Sequence, residues 1–434
     1  MIWNPAMESI DRAKLAELQL ERLRRSVAHT YLNVPYYRAR MDAAGVKPED
    51  IRTLADIRRL PFTTKQDMRD SYPYGMLAMP LQKIVRLHCS SGTTGKPTVV
   101  AYTKQDLGMW ADLIARTLTA GGVTDKSVFQ VSVNYGLFTG GLGWHYGVEA
   151  VGASVVPVSG GNTGRQIMLM QDFGTTAMVV TPSYALYLAE TMREMGIFPG
   201  DTKLQALFCG AEAWSDRMHK EVEDAFGVPA FDSYGLSEII GPGVSFECEA
   251  HHGLHIQEDQ FYCEIIDPVT EEVLPEGEIG EMVITTLSKE GMPMIRYRTR
   301  DLTALEPDSG LCGCGRTQAK MRRVMGRTDD MLVIRGVNVF PSQVESVLLG
   351  LGETAPHYQL IVDREHNLDL LTILVEKSED LAKANKDVKA IERKIREKMK
   401  TATGVGAVVC LVEPKTIERS EGKAKRVIDR RAAG

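Results

Sequence analysis

SSGTTGKPT, residues 90–98, follows the short apolar run Ile84–Leu87. Its composition suits a polyphosphate. Gly92 and Gly95 let backbone amides come close to an anion. The hydroxyls of Ser90, Ser91, Thr93 and Thr94 donate hydrogen bonds without a fixed charge. Lys96 can offset charge on a departing pyrophosphate. A Walker A loop is excluded, because only two residues separate Gly92 from Gly95 and Pro97 follows the lysine where Ser or Thr is needed. A dinucleotide fingerprint at Gly241-Pro242-Gly243 also fails, since Phe246 stands where the third glycine belongs.

Around this loop, from about residue 84 to 245, short apolar runs (SVFQVSV, ASVVPV, AMVVTP, ALFCG) alternate with helical stretches such as Tyr184–Met195 and Asp216–Phe226. That alternation predicts a largely parallel sheet covered by helices. Residues 12–31 predict an amphipathic helix with Ala16, Leu20, Leu23, Val27 and Tyr31 on its apolar face. Between 260 and 306 the runs FYCEIID, GEIGEMVITT and IRYRTRDLTAL are closely spaced, which predicts an added β subdomain. A boundary falls near Gly326–Asp330. Beyond it, MLVIRGVNV and LLTILVE read as strands. Pro341 starts a helix that stops near Gly350, and Ile391–Met399 lies in a long charged helix.

The chain has 434 residues, 44% hydrophobic and 25% charged, with a formal charge of −6. These values exclude a disordered tail and a disulfide scaffold, and they offer no global attraction for nucleic acid or an anionic membrane. The start, MIWNPAMESIDRAK, lacks a basic segment followed by an apolar one. The longest run without Asp, Glu, Lys or Arg, between Lys126 and Glu149, is rich in glycine and reads as strand–loop–helix. Seven scattered cysteines indicate reduced thiols or a metal site. A cytoplasmic protein is expected.

Five further motifs follow the loop in order: GAEAW (210–214), DSYGLSE (232–238), YRTRD (297–301), GRTDDMLVIRGVNVFPSQVE (326–345) and SEGKAKRV (420–427). With the loop, they make the chain resemble the phenylacetate–CoA ligase family of adenylate-forming enzymes over nearly its whole length. The resemblance implies an α/β fold. A large N-terminal domain, residues 1–327, would have helix-covered sheets and a β subdomain. A small mobile α+β C-terminal domain, residues 328–434, would act as a lid. It implies ATP, Mg²⁺ and coenzyme A. An aryl or arylalkanoic acid, with phenylacetate as the lead, would become an acyl-adenylate and then a thioester. By the same resemblance Glu238 holds Mg²⁺, Tyr234 stacks near adenine beside Gly235, and Glu212 and Asp232 flank that pocket. Asp301 grips the ribose, a task suited to two acceptor oxygens. Arg327 reaches ribose or phosphate, and Asp329 is the hinge. Lys423 bridges carboxylate and α-phosphate, with Lys425 as a rival.

Tyr135, Phe138 and Ala213 are expected to line the acyl pocket, and Trp144 belongs either there or in the core. Cys248, His255, Cys312 and Cys314 can make a tetrahedral structural Zn²⁺ site, with His251 and His252 as competing imidazoles. The expected partners are a small carboxylic acid, ATP and coenzyme A, without nucleic acid or membrane; a homodimer is a further expectation. Two alternatives stand beside this reading. One is a nucleotidyltransferase of the same fold that adenylates a hydroxyl or a cofactor without a thioester step. The other is a non-catalytic nucleotide sensor, which would be expected to lack Lys96, Glu238 or Lys423.

Overall fold

Strands Val128–Val131, Ser154–Val156, Ala177–Val180, Ala206–Gly210 and Ala230–Leu236 pair in parallel in the computed structural model, which describes residues 1–90, 97–307, 311–335, 337–365, 368–384 and 387–431. They form one side of an eight-stranded sheet. Gly241–Glu247, Leu254–Ile256 and Lys320–Met321 extend it antiparallel. The chain divides into two compact units. The first comprises residues 1–180, 200–211 and 228–323; the second comprises 181–199, 212–227 and 324–434.

In the first unit the parallel sheet follows from its β-branched and aromatic runs, covered by helices Lys104–Ala120, Gly140–Val151 and Thr163–Asp172. Trp144 is core: it stacks on Phe129 at 6.0 Å and 15° and lies 5.5 Å from Phe208. The glycines of the uncharged passage explain themselves by close approach. A Cβ on Gly147 would lie 2.2 Å from Ile114, and one on Gly143 would lie 2.4 Å from Trp110. These glycines let helices Gly140–Val151 and Lys104–Ala120 pack face to face.

The β subdomain is an antiparallel sheet of Phe261–Ile266, Gly280–Thr286 and Tyr297–Thr303, with Phe261 opposite Thr286 and Val283 opposite Arg298. The first long helix runs Arg12–Asn33, but its buried face is Leu15, Gln19, Leu23, Ser26, Val27 and Thr30. Ala16 is exposed and Leu20 only partly covered. The polar members are buried because each finds a partner: Gln19 donates to the Glu258 carbonyl at 2.9 Å, Ser26 to the Thr286 carbonyl at 3.0 Å, and Thr30 to its own helix.

The second unit carries a sheet in the order Val408–Val412, Leu368–Lys377, Thr354–Glu365, Val427–Asp429. Helices Pro341–Leu349 and Val388–Thr403 supply Val344, Leu348, Ile391, Ile395 and Met399 to its core. MLVIRGVNV is not one strand but a hairpin, with Leu332 opposite Val339 and Ile334 opposite Val337. Arg335 turns it at a φ of 52°. Among the described residues no helix is long and apolar enough to cross a membrane.

Candidate active site

The strands that flank residues 90–98, Arg86–Cys89 and Val99–Tyr102, pair antiparallel. Ser91, Gly92, Thr93, Thr94, Gly95 and Lys96 lie outside the described residues. The loop's ends are tied: the Ser90 amide donates to the Thr98 carbonyl at 3.0 Å. The buried Thr98 hydroxyl lies 2.6 Å from Ser90 Oγ and 3.3 Å from Glu238 Oε1.

Glu238 sits in the turn between strands Ala230–Leu236 and Gly241–Glu247 and is only 5% exposed, so it is not a solvated loop acid. Lys65 Nζ lies 3.1 Å from the same Oε1. Lys65 has no motif around it. Its neighbours Thr64 and Asp67 announce only a capped helix, Lys65–Asp70, and sequence reasoning passes over it. A second lysine fixes the turn from below. Lys289 Nζ donates to the Ile239 carbonyl at 2.6 Å and lies 4.9 Å from the centre of the Tyr102 ring, whose hydroxyl donates to the Ile240 carbonyl at 2.9 Å. Burial pulls the Lys289 ammonium down to about 8, against the opposing charges of Asp106 and Glu238.

Tyr234 and Asp301 meet. The Tyr234 hydroxyl donates to Asp301 Oδ2 at 2.7 Å across strands Ala230–Leu236 and Tyr297–Thr303. Burial, then the Asp301 charge, pushes the Tyr234 phenol well up, so it stays a donor. Arg298 and Arg300 both turn to Glu281, at 2.8 and 3.5 Å. Asp232 is part of a charged network: its amide donates to Glu247 at 3.0 Å and its carboxylate lies 3.5 Å from Arg323. Gly235 is required by close packing, because a Cβ there would lie 2.1 Å from the Gly241 carbonyl. Of the expected acyl-pocket residues, Tyr135 has its hydroxyl 3.1 Å from His145 Nδ1, and Phe138 is 39% exposed.

In the second unit Glu212 accepts from the Ser183 amide at 2.8 Å, the Ser183 hydroxyl at 3.0 Å and the Ala424 amide at 3.3 Å. Burial nonetheless pushes its carboxyl up. Ala213 is exposed. Lys423 is exposed on the loop before strand Val427–Asp429, and its carbonyl accepts from Ser420 Oγ at 2.7 Å. Arg327 forks onto Asp329 at 2.8 and 3.0 Å, so the expected ribose arginine and the expected hinge acid share one ion pair.

Cys248, His255, Cys312 and Cys314 converge in the first unit, with all four ligand atoms within 4.8 Å of one another. Cys248 and Cys312 sulfurs are 3.9 Å apart, and Cys314 Sγ lies 3.5 Å from His255 Nε2. Hydrogen bonding from Cys248, then from His255 and Arg316, favours the thiolate on Cys314 despite burial. His251 stacks on Phe231 and lies 3.6 Å from Glu247, away from this set. Three sulfurs and one ring nitrogen fit the donor preference of Zn²⁺.

Residues 41–288 match the AMP-binding enzyme family and residues 336–431 the AMP-binding enzyme C-terminal domain. The chain is 49% identical to a phenylacetate-coenzyme A ligase of Thermus thermophilus, over 99% of this chain and 100% of the relative. It is 48% identical to the phenylacetate-coenzyme A ligase of Escherichia coli K12, over 99% of each. A crystal structure of 2-hydroxyisobutyryl-CoA ligase in the postadenylation state superposes with a TM-score of 0.91 at 28% identity, covering 99% of this chain and 92% of that one. With near-complete coverage at about half identity, on the adenylate-forming fold just described, the chain belongs to the phenylacetate-coenzyme A ligase family and is an AMP-forming acid–CoA ligase.

Proposed function

We propose that this chain activates an aryl or arylalkanoic acid, phenylacetate first, to an acyl-adenylate and then transfers the acyl group to coenzyme A. The observation that carries the reading is the meeting of Thr98 and Lys65 at the buried Glu238 carboxylate, with Ser90 Oγ bonded to the Thr98 hydroxyl, which puts hydroxyls, a cation and a carboxylate side by side at the end of the Gly/Ser/Thr loop. Four relatives that are 48–50% identical are phenylacetate-coenzyme A ligases, which supports the choice of acid.

In the first step the substrate carboxylate attacks the α-phosphorus of ATP in line, the P–O bond to the β-phosphate breaks, and pyrophosphate leaves. Lys423 screens the repulsion between carboxylate and phosphate. Asp301, oriented by the Tyr234 hydroxyl, accepts from the ribose hydroxyls. Glu238 and Thr98 offer oxygen donors for Mg²⁺, which supplies charge neutralisation on the phosphates when bound. In the second step the coenzyme A thiolate attacks the acyl carbon and AMP leaves with its C–O bond electrons. A mobile C-terminal domain, with its hinge at Asp329, would let one cleft serve both steps.

A panel of carboxylic acids assayed for coenzyme A-dependent AMP production tests this. Phenylacetate is expected to be among the best, and close homologues should differ by about tenfold to a few hundredfold per methylene. Pyrophosphate release without any thioester would overturn the ligase step for this chain and favour adenylation of another acceptor. For the cysteine cluster, purified protein is expected to carry about one Zn²⁺ per chain. Cys312→Ser should lose that metal, lower the melting temperature by several degrees and leave the acid preference unchanged. Metal analysis that finds no zinc would remove the site.

A further inference from the structure

The loop that carries Lys423 is fastened along its length to Thr181, Ser183, Glu190, Glu194 and Glu212, all within the second unit. Lys415 pairs with Glu194. The Gly422 carbonyl accepts from Thr181 Oγ1 at 2.9 Å, the Ala424 amide donates to Glu212 at 3.3 Å, and Arg426 donates to Ser183 Oγ at 3.4 Å. The strongest fastening is Arg419, four residues before Lys423. Its Nε donates to Glu190 Oε2 at 2.9 Å and its Nη2 to Glu190 Oε1 at 3.2 Å. Its Nη1 and Nη2 donate to the two Glu376 oxygens at 2.8 and 2.9 Å, and Nη1 also reaches the Ile417 carbonyl at 3.0 Å. All five N–H donors of the guanidinium are therefore used.

Glu376 lies on strand Leu368–Lys377 of the C-terminal sheet, and Glu190 on helix Pro182–Glu194. That helix precedes the 327/328 boundary expected from the sequence, so Arg419 ties the C-terminal sheet to a segment on the other side of it. His357 Nε2 also lies 2.6 Å from Glu190 Oε1. Burial pushes the Glu190 carboxyl up, but the His357 and Arg419 bonds hold it below its ordinary value, so it remains an anion at neutral pH. Among the described residues, Arg193, Glu194, Lys377, Glu379 and Lys415 line the cavity on one side of this pair, and Glu418, Lys425 and Arg426 line a second cavity that Arg419 also borders.

We propose that the Glu190–Arg419 pair is a catch that positions the Lys423 loop for adenylation and plays no part in thioester formation. The proposal rests on the reading of Lys423 as the adenylation lysine. Arg419 and Glu190 are positioning residues: they act through the loop. A planar, forked cation held by two acids fixes the direction in which the loop leaves the sheet, which a single lysine contact would not do.

The test is Glu190→Gln, which keeps the side-chain volume and leaves the Arg419–Glu376 pair intact. Adenylation is read as acid-dependent ATP–pyrophosphate exchange, and transfer as thioester formed from supplied acyl-adenylate. Exchange is expected to fall about tenfold, with transfer changed less than about twofold. Arg419→Lys should lower exchange in the same way, and adding Glu190→Gln to it should cost less than Glu190→Gln alone, because the two act as one unit. Wild-type exchange in Glu190→Gln, at whatever melting temperature, would overturn the catch. Equal loss in both half-reactions would also overturn it. A wild-type enzyme that converts no acid in the panel would instead overturn the proposed function, so the two failures are distinct.

Discussion

Lys423→Ala is expected to lower acyl-adenylate formation by about three orders of magnitude while thioester formation from supplied acyl-adenylate stays within a few-fold of wild type. The size follows from charge. Two anions must approach to bonding distance, and a unit cation about 4 Å away at an effective dielectric near 20 contributes about 4 kcal/mol. Each factor of ten in rate takes about 1.4 kcal/mol, so about 4 kcal/mol corresponds to about a thousandfold. Lys423 is exposed on its loop, so its truncation leaves no cavity. Lys425→Ala is the control: it is exposed on the same loop and should leave both half-reactions near wild type. Equal loss in the two half-reactions of Lys423→Ala would refute the assignment.

Glu238→Gln is expected to cut AMP production about a hundredfold and to raise the Mg²⁺ concentration needed for half-maximal rate. The amide keeps the shape and one carbonyl oxygen but removes the charge. The loss falls where two cations already converge: Lys65 at 3.1 Å, and Lys289, whose ammonium holds the next carbonyl of the same turn. Without the carboxylate Lys65 loses this ion pair and Lys289 loses one of its two opposing charges, keeping that of Asp106, and a divalent ion has one anionic ligand fewer. A Mg²⁺ titration separates the two effects. If the variant shows the wild-type Mg²⁺ dependence at reduced rate, Glu238 tunes the turn and does not hold the metal.

The parallel sheet was legible because its strands are short, apolar and separated by helical runs. Asp216–Phe226 begins and ends where its pattern says, at a serine cap and a glycine stop. Other features depend on partners distant in the chain. The buried face of Arg12–Asn33 includes Gln19 and Ser26 because the carbonyls of Glu258 and Thr286 come to meet them, and no local pattern contains that. Trp144 reads as pocket or as core until Phe129 and Phe208 are placed against it. At the candidate site, the motifs named Glu238, Tyr234 and Asp301, and the last two touch. Lys65 and Glu190 carry no motif, and each is defined only by the opposite charge that folding sets beside it.

Strands Arg86–Cys89 and Val99–Tyr102 flank the Gly/Ser/Thr-rich loop on both sides. In nucleotide folds where a glycine-rich loop opens directly into a helix, the macrodipole of that helix meets the phosphates with partial positive charge. Here the chain leaves the loop along a strand, Val99–Tyr102, whose alternating peptide dipoles sum to little. Under the proposed function the triphosphate must then be neutralised by mobile side chains and a soluble ion, both of which added salt screens. Nucleotide affinity in this enzyme should therefore respond steeply to ionic strength.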